Sequence, residues 1–196
     1  MDTVWILGDQ LNRRISSLVG RSPTDTRILF VESSAKIRSK RYHRQRLHLV
    51  IAAMRRFAAE LEQEGFEVDY RTADSFAAGV DAHRREYEPA TVVCMEPMSH
   101  AMHQRLDRMG ITVTPSNQFL CHYREFAEWA AGRPRLVLED FYRMQRRRFG
   151  YLIDGDEPAG GAWNFDAENR ERPPRDGREW PEPFRSRLDD LDAEII

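Results

Sequence analysis

The sequence predicts an α/β protein: a five-stranded parallel sheet with helices on both faces, followed by C-terminal helices and an extended tail. Three observations carry this. Short apolar runs of strand length alternate with helical stretches five times before residue 115. Several of these runs stop abruptly in polar residues, as strands do at the open edge of a parallel sheet. In the longest stretch between runs, apolar residues recur at steps of three and four, the helical period.

In chain order, Val4-Trp5-Ile6-Leu7 is the first strand and ends in Gly8-Asp9-Gln10. Arg13 to Asp25 is polar, with Gly20 and Pro23, and reads as a short helix or loop. Arg27 to Glu32 is the second strand, an apolar run closed by a carboxylate. From Tyr42 to Glu64, Leu47, Val50, Met54, Phe57 and Leu61 make one apolar stripe, and Gly65 stops the helix. Phe66 to Tyr70 alternates as a third strand, and Ser75 caps a helix over 76–87. Thr91 to Met95 is the fourth strand; Pro97 opens a helix from about Met98 to Met109, and Gly110 ends it. Ile111 to Thr114 is the fifth strand. Right-handed crossovers then give a Rossmann-like sheet.

Beyond residue 120 the character changes. His122 to Ala131 and Leu138 to Phe149 read as helices, and Gly150 to Gly161 is turn-rich. Residues 171–185 carry four prolines among many charges, an extended linker, and the last eleven residues form a short amphipathic helix. The chain divides into an α/β domain at 1–132, a helix and junction segment at 133–170, and a linker and tail at 171–196.

Composition narrows the function. The formal net charge is −2, so no general affinity for nucleic acid is indicated. The two cysteines, Cys94 and Cys121, are far apart, which excludes a disulfide scaffold and fits a reducing cytoplasm. Met1-Asp2-Thr3 lacks the basic start of a signal peptide, and no run has the roughly 18 apolar residues of a membrane span.

In an open parallel sheet, ligands bind beyond the carboxyl ends of the strands, where strand order reverses. Gly8 lets a ligand approach the backbone, while Asp9 and Gln10 offer acceptors and an amide donor. Glu32 and Ser33 end the second strand at the same edge. The bland readings are a capped turn for Asp9-Gln10 and a salt bridge to Arg44 or Arg46 for Glu32. The basic run of Lys36, Arg38, Lys40, Arg41, Arg44 and Arg46 reads as a solvated helix face, with DNA phosphates as the alternative partner. Arg143, Arg146, Arg147 and Arg148 read like the first basic run, and Trp163 to Arg170 as a packed loop; an interdomain role for both is implied only by the family resemblance given below. His100 and His103 stand near Glu96, but no further carboxylate or cysteine completes a metal set. Cys94 reads as a small core residue. No nucleophile–base pair has motif spacing, so no catalytic residue is assigned. There is no glycine-rich phosphate cradle.

Five stretches, taken in order, carry a resemblance. They are Leu7-Gly8-Asp9-Gln10-Leu11; Ala53-Met54-Arg55-Arg56-Phe57-Ala58 with Glu64-Gly65; Phe126 to Arg133; Glu139 to Arg147; and Gly160 to Arg170. Together they resemble the prokaryotic photolyase/cryptochrome branch that carries an iron–sulfur cluster, which includes bacterial (6-4) photolyases. The resemblance implies a light-harvesting antenna domain, commonly holding 6,7-dimethyl-8-ribityllumazine near the carboxyl ends of the strands. On that reading Gly8, Asp9, Gln10, Leu11, Glu32 and Ser33 contact the chromophore, and Val50 and Met54 pack on its ring. FAD and the iron–sulfur cluster are expected only in a large helical domain that this sequence lacks, and that domain is the implied partner. DNA is reached through that domain alone, and no membrane is involved. The parent activity is that of a DNA photolyase, with this chain alone not expected to be catalytic. From the residues themselves, two alternatives stay open: a free-standing nucleotide- or small-ligand-binding α/β domain, or a DNA- or partner-binding module.

Overall fold

The computed structural model describes residues 1–166, 170 and 172–195. It divides into two units, residues 1–120 with 187–195, and residues 121–186.

The first unit opens with β1 (Asp2–Trp5), β2 (Thr26–Ser33), α1 (Ser34–Arg38) and α2 (Arg44–Gln63). It continues through β3 (Glu67–Ala73), α3 (Phe76–Tyr87), β4 (Val92–Met95), α4 (His100–Arg108) and β5 (Thr112–Thr114). The sheet is parallel in the order β3-β2-β1-β4-β5. The predicted α/β class and five-stranded parallel sheet are therefore present. The order reverses between β1 and β4, which is the topological switch point.

Alternate residues feed two cores. Val4, Ile6, Ile28 and Phe30 meet Met54, Phe57, Ala58 and Leu61 of α2, and Ile15 and Leu18 of the β1–β2 connection join them. Trp5, Leu7, Leu29 and Val31 meet Val80 of α3 and Leu106 of α4 on the other face. Helices thus cover both faces, which lets β2 be buried along almost its whole length.

Some boundaries move. The β1 ladder ends at Trp5, while Ile6 and Leu7 run on, fully or nearly buried, past the last paired residue. Helix α2 starts at Arg44 because the His43 ring accepts the Gln45 N–H. The helix expected to open at Pro97 starts at His100 instead, because Ser99 Oγ accepts the Met102 N–H at 3.1 Å. Strand β3 runs three residues past Tyr70, since Arg71, Thr72 and Ala73 pair with Val31, Glu32 and Ser33.

The second unit holds α5 (Tyr123–Ala130), α6 (Leu138–Phe149) and a hairpin of β6 (Ile153–Asp154) with β7 (Glu157–Pro158), which the sequence reading missed. His122 and Glu125 form a capping box at α5. The guanidinium of Arg146 is the knot of the unit: it donates to the Tyr151 and Trp163 carbonyls at 3.1 and 2.8 Å and to the Leu152 carbonyl. Arg143 and Arg147 flank Trp163, 5.3 and 4.6 Å from its ring centre. Of the string Trp163 to Arg170, residues 167–169 lie outside the described residues.

The expected terminal helix is present as α7 (Asp190–Ile195) and rejoins the first unit. It is capped reciprocally, Asp189 Oδ1 accepting the Asp192 N–H and Asp192 Oδ2 the Asp189 N–H. Its carboxylates land on α2: Asp189 and Asp192 on Arg56, Asp192 on His48, and Glu194 on Arg55. No described helix is long and apolar enough to cross a membrane.

Candidate functional site

The residues at the carboxyl edge of β1 do three different jobs. Gly8 is where α2 comes nearest to the loop: a Cβ here would stand 3.0 Å from both Met54 Sδ and Val50 Cγ1. Glycine is what permits that approach. Asp9 is exposed, and its carboxylate has no partner among the described residues, while its carbonyl accepts from Gln118 Nε2 at 2.8 Å. Gln10 is buried and turned the other way. Its amide donates to the Met95 carbonyl at 2.8 Å and points towards that of Glu96 at 3.4 Å, so it bridges β1 and β4 across the switch point.

At the end of β2, Glu32 is only 7% exposed. An isolated buried carboxylate is costly, and two groups offset that cost here. Arg55 of α2 donates Nε at 3.0 Å, and the Tyr70 hydroxyl of β3 donates at 2.6 Å. The partner is Arg55 rather than Arg44 or Arg46, which lie exposed in the first turn of α2. Burial and the hydrogen bond to Glu32 push the Tyr70 phenol far above its ordinary range. Ser33 caps α1, its Oγ accepting the Lys36 N–H at 3.2 Å.

The structure therefore brings Gly8, Val50 and Met54 into contact, and Leu11 and Val50 pack on the same core as Met54. Gln10, Glu32 and Ser33 have their side chains engaged by protein groups. Arg55 and Tyr70 are site residues that sequence reasoning missed. The available signal was Glu32 itself, since a carboxylate closing a buried strand needs a partner on the covering helix or the next strand. Beside Leu11, an open depression of about 520 Å³ runs between the β1 loop and α2, lined by Arg13, Arg14, Ala53, Arg56 and Phe57 among others.

Cys94 lies buried in β4 beside Gln10, and burial raises its thiol well above the usual range, so it is no nucleophile. His103 is 3.9 Å from both Glu96 and Asp107, and no group of three metal-ligating side chains converges among the described residues.

Against known proteins, residues 4–196 match the family model described as "Deoxyribodipyrimidine photo-lyase-related protein". A protein named "(6-4) photolyase" from Agrobacterium fabrum (strain C58 / ATCC 33970) is 35% identical over 180 residues, which cover 86% of this chain and 36% of the relative. The chain thus spans little more than a third of the length of that curated relative.

Proposed function

The chain belongs to the deoxyribodipyrimidine photo-lyase-related protein family, and from that premise we propose that its α/β unit binds a light-harvesting chromophore. One observation carries the reading: at the carboxyl edge of β1 and β2, the Asp9 carboxylate, without a partner among the described residues, stands beside Gly8 and half-buried apolar surface from Leu11 and Val50. That is what a flat, uncharged heteroaromatic ring with a polyol arm asks for, an apolar seat and a few polar groups at its rim.

The chromophore is 6,7-dimethyl-8-ribityllumazine. Leu11, Val50 and Met54 pack against its ring, and the Asp9 carboxylate accepts from its polar edge or ribityl hydroxyls. Gly8 keeps the backbone open to it. Glu32, fixed by Arg55 and Tyr70, holds the position of α2 and β3 behind the seat, and Gln10 holds the two halves of the sheet in register. Bound there, the chromophore absorbs light and passes excitation to a flavin. FAD and an iron–sulfur cluster belong to a further helical domain in this reading; the two cysteines here do not make a four-thiolate set. The free thiols agree with a reducing cytoplasm.

The test is to titrate the purified chain with 6,7-dimethyl-8-ribityllumazine and follow its absorption and fluorescence. Binding is expected to shift the absorption band and to weaken at least tenfold in Asp9→Ala and Val50→Trp. No binding at high micromolar ligand sinks the proposal.

A further inference from the structure

Between Ser33 and Ala59 the chain carries eight Lys and Arg and no Asp or Glu, so all 32 carboxylates lie elsewhere. Six of these cations, Lys36, Arg38, Lys40, Arg41, Arg44 and Arg46, are exposed. Among the described residues none of the six forms an ion pair. Arg38 donates only to Ser34 Oγ, and Lys36 lies 5.9 Å from the Tyr42 ring. Elsewhere in the same unit Arg13, Arg21, Arg27, Arg55, Arg56 and Arg71 each hold a carboxylate.

The end of α2 adds to this. A helix N-terminus carries partial positive charge and usually attracts an acidic residue into its first turn. The 20-residue α2 has none there, and instead begins with Arg44 and Arg46. The backbone and the side chains therefore present the same sign. Further along the same helix the affinity for anions is visible directly, because the acidic helix α7 sits on His48, Arg55 and Arg56.

We propose that Lys36 to Arg46, with the first turn of α2, is a surface for the phosphate backbone of duplex nucleic acid, bound without reading its sequence. This gives the α/β unit its own contact with nucleic acid and is independent of the chromophore reading. A duplex offers one charge per about 1.7 Å of axis, which suits six bare cations strung along eleven residues. A single strand would need stacking platforms, and the only aromatic carbocycle here, Tyr42, is half-buried. An anionic membrane would need an apolar insertion face, and between Lys36 and Arg46 the half-buried Ile37 is the one aliphatic side chain.

The experiment is fluorescence anisotropy of the full chain with a labelled, undamaged duplex of about two helical turns, the matching single strand, and phosphatidylserine vesicles, each titrated with salt. Duplex binding is expected at low salt, with log K falling against log salt at a slope near −4 if about four cations reach phosphates. The triple variant Lys40→Glu, Arg41→Glu, Arg44→Glu, all exposed positions, should bind at least tenfold more weakly with its thermal midpoint kept. The control Arg105→Glu, Arg108→Glu on α4 should bind as the parent does. Absence of duplex binding, equal affinity in the triple variant, or tighter binding to single strand or vesicles would overturn the proposal. Lumazine titration of the same variants keeps the two readings separable.

Discussion

The carboxamide of Gln10 donates to the Met95 carbonyl, 2.8 Å away, across the line where the sheet changes direction. Gln10 follows β1 and Met95 ends β4, so a single side chain ties the two halves of the sheet at their carboxyl edge. The residue is 1% exposed, and no solvent can replace the bond.

Replacing Gln10 with Leu keeps the bulk and removes the donors. The Met95 carbonyl then keeps only the weak Cys94 thiol donor at 3.2 Å, a loss of about 1 kcal/mol. Urea unfolding should show a lower midpoint with an unchanged slope. A Gln10→Leu variant as stable as the parent would mean that the bridge contributes nothing.

Gly79 of α3 lies against Val31 of β2 so closely that a Cβ would fall 2.6 Å from Val31 Cγ1. Alanine is ordinarily the better helix former by about 1 kcal/mol. Here that gain is overridden, because α3 or Val31 must shift to make room, and overpacking of this kind costs about 1–3 kcal/mol. Gly79→Ala should therefore lower the thermal midpoint, while the double variant Gly79→Ala, Val31→Ala should recover part of the loss.

Much of this was readable in advance, for a physical reason. A parallel sheet covered on both faces leaves continuous apolar runs, so the buried stretch of β2 and the sheet class could be seen directly. Hydrophobicity does not report pairing, however. Leu7 is as apolar as Val4 and lies past Ile6, whose N–H makes the last bond of β1 to Leu29 of β2. The start of α4 was misplaced because Pro97 alone was weighed, whereas the Ser99 hydroxyl, which accepts a backbone N–H, sets it. The helical stripe puts Val50 and Met54 on one face of α2, while only the family resemblance put that face at the same site as Gly8. Arg55 and Tyr70 were not, because meeting Glu32 depends on the rotation of α2 and on β3 lying next to β2, neither of which is a local property.

Tyr70 and Glu32 give a spectroscopic prediction. Burial first, and then the hydrogen bond to the Glu32 carboxylate, oppose ionisation of the Tyr70 phenol. In an alkaline titration followed by tyrosinate absorbance, Tyr70 should stay neutral until the fold is lost, and Tyr70→Phe should leave the native part of the curve unchanged. Removing the hydroxyl also leaves Glu32 with Arg55 alone, so the same variant should be destabilised by about 1–2 kcal/mol.

His83 sets how stability depends on pH on the acid side. Its ring is fully buried beneath the sheet, with Nε2 2.8 Å from Thr3 Oγ1 and Nδ1 2.6 Å from Asp69 Oδ2. A neutral ring satisfies both contacts, donating from Nδ1 to the carboxylate and accepting at Nε2 from the threonine hydroxyl. Asp69 favours protonation, but Arg71 draws on the same Oδ2 at 2.5 Å, and Arg27 adds further positive charge nearby. Burial is the largest influence, and the pKa falls below the ordinary 6.5. The unfolded chain therefore binds this proton more readily than the fold does. The contribution of His83 is complete above pH 6.5 and is progressively lost as the pH drops below it, until the folded-state pKa is passed. Urea midpoints measured from neutral pH downwards should fall through this window in the parent chain. In His83→Gln, which keeps polar contacts without a titrating ring, the fall through this window should be shallower than in the parent chain. A parent chain that gains stability on acidification through the same range would show that Asp69 outweighs burial and that the buried ring is charged.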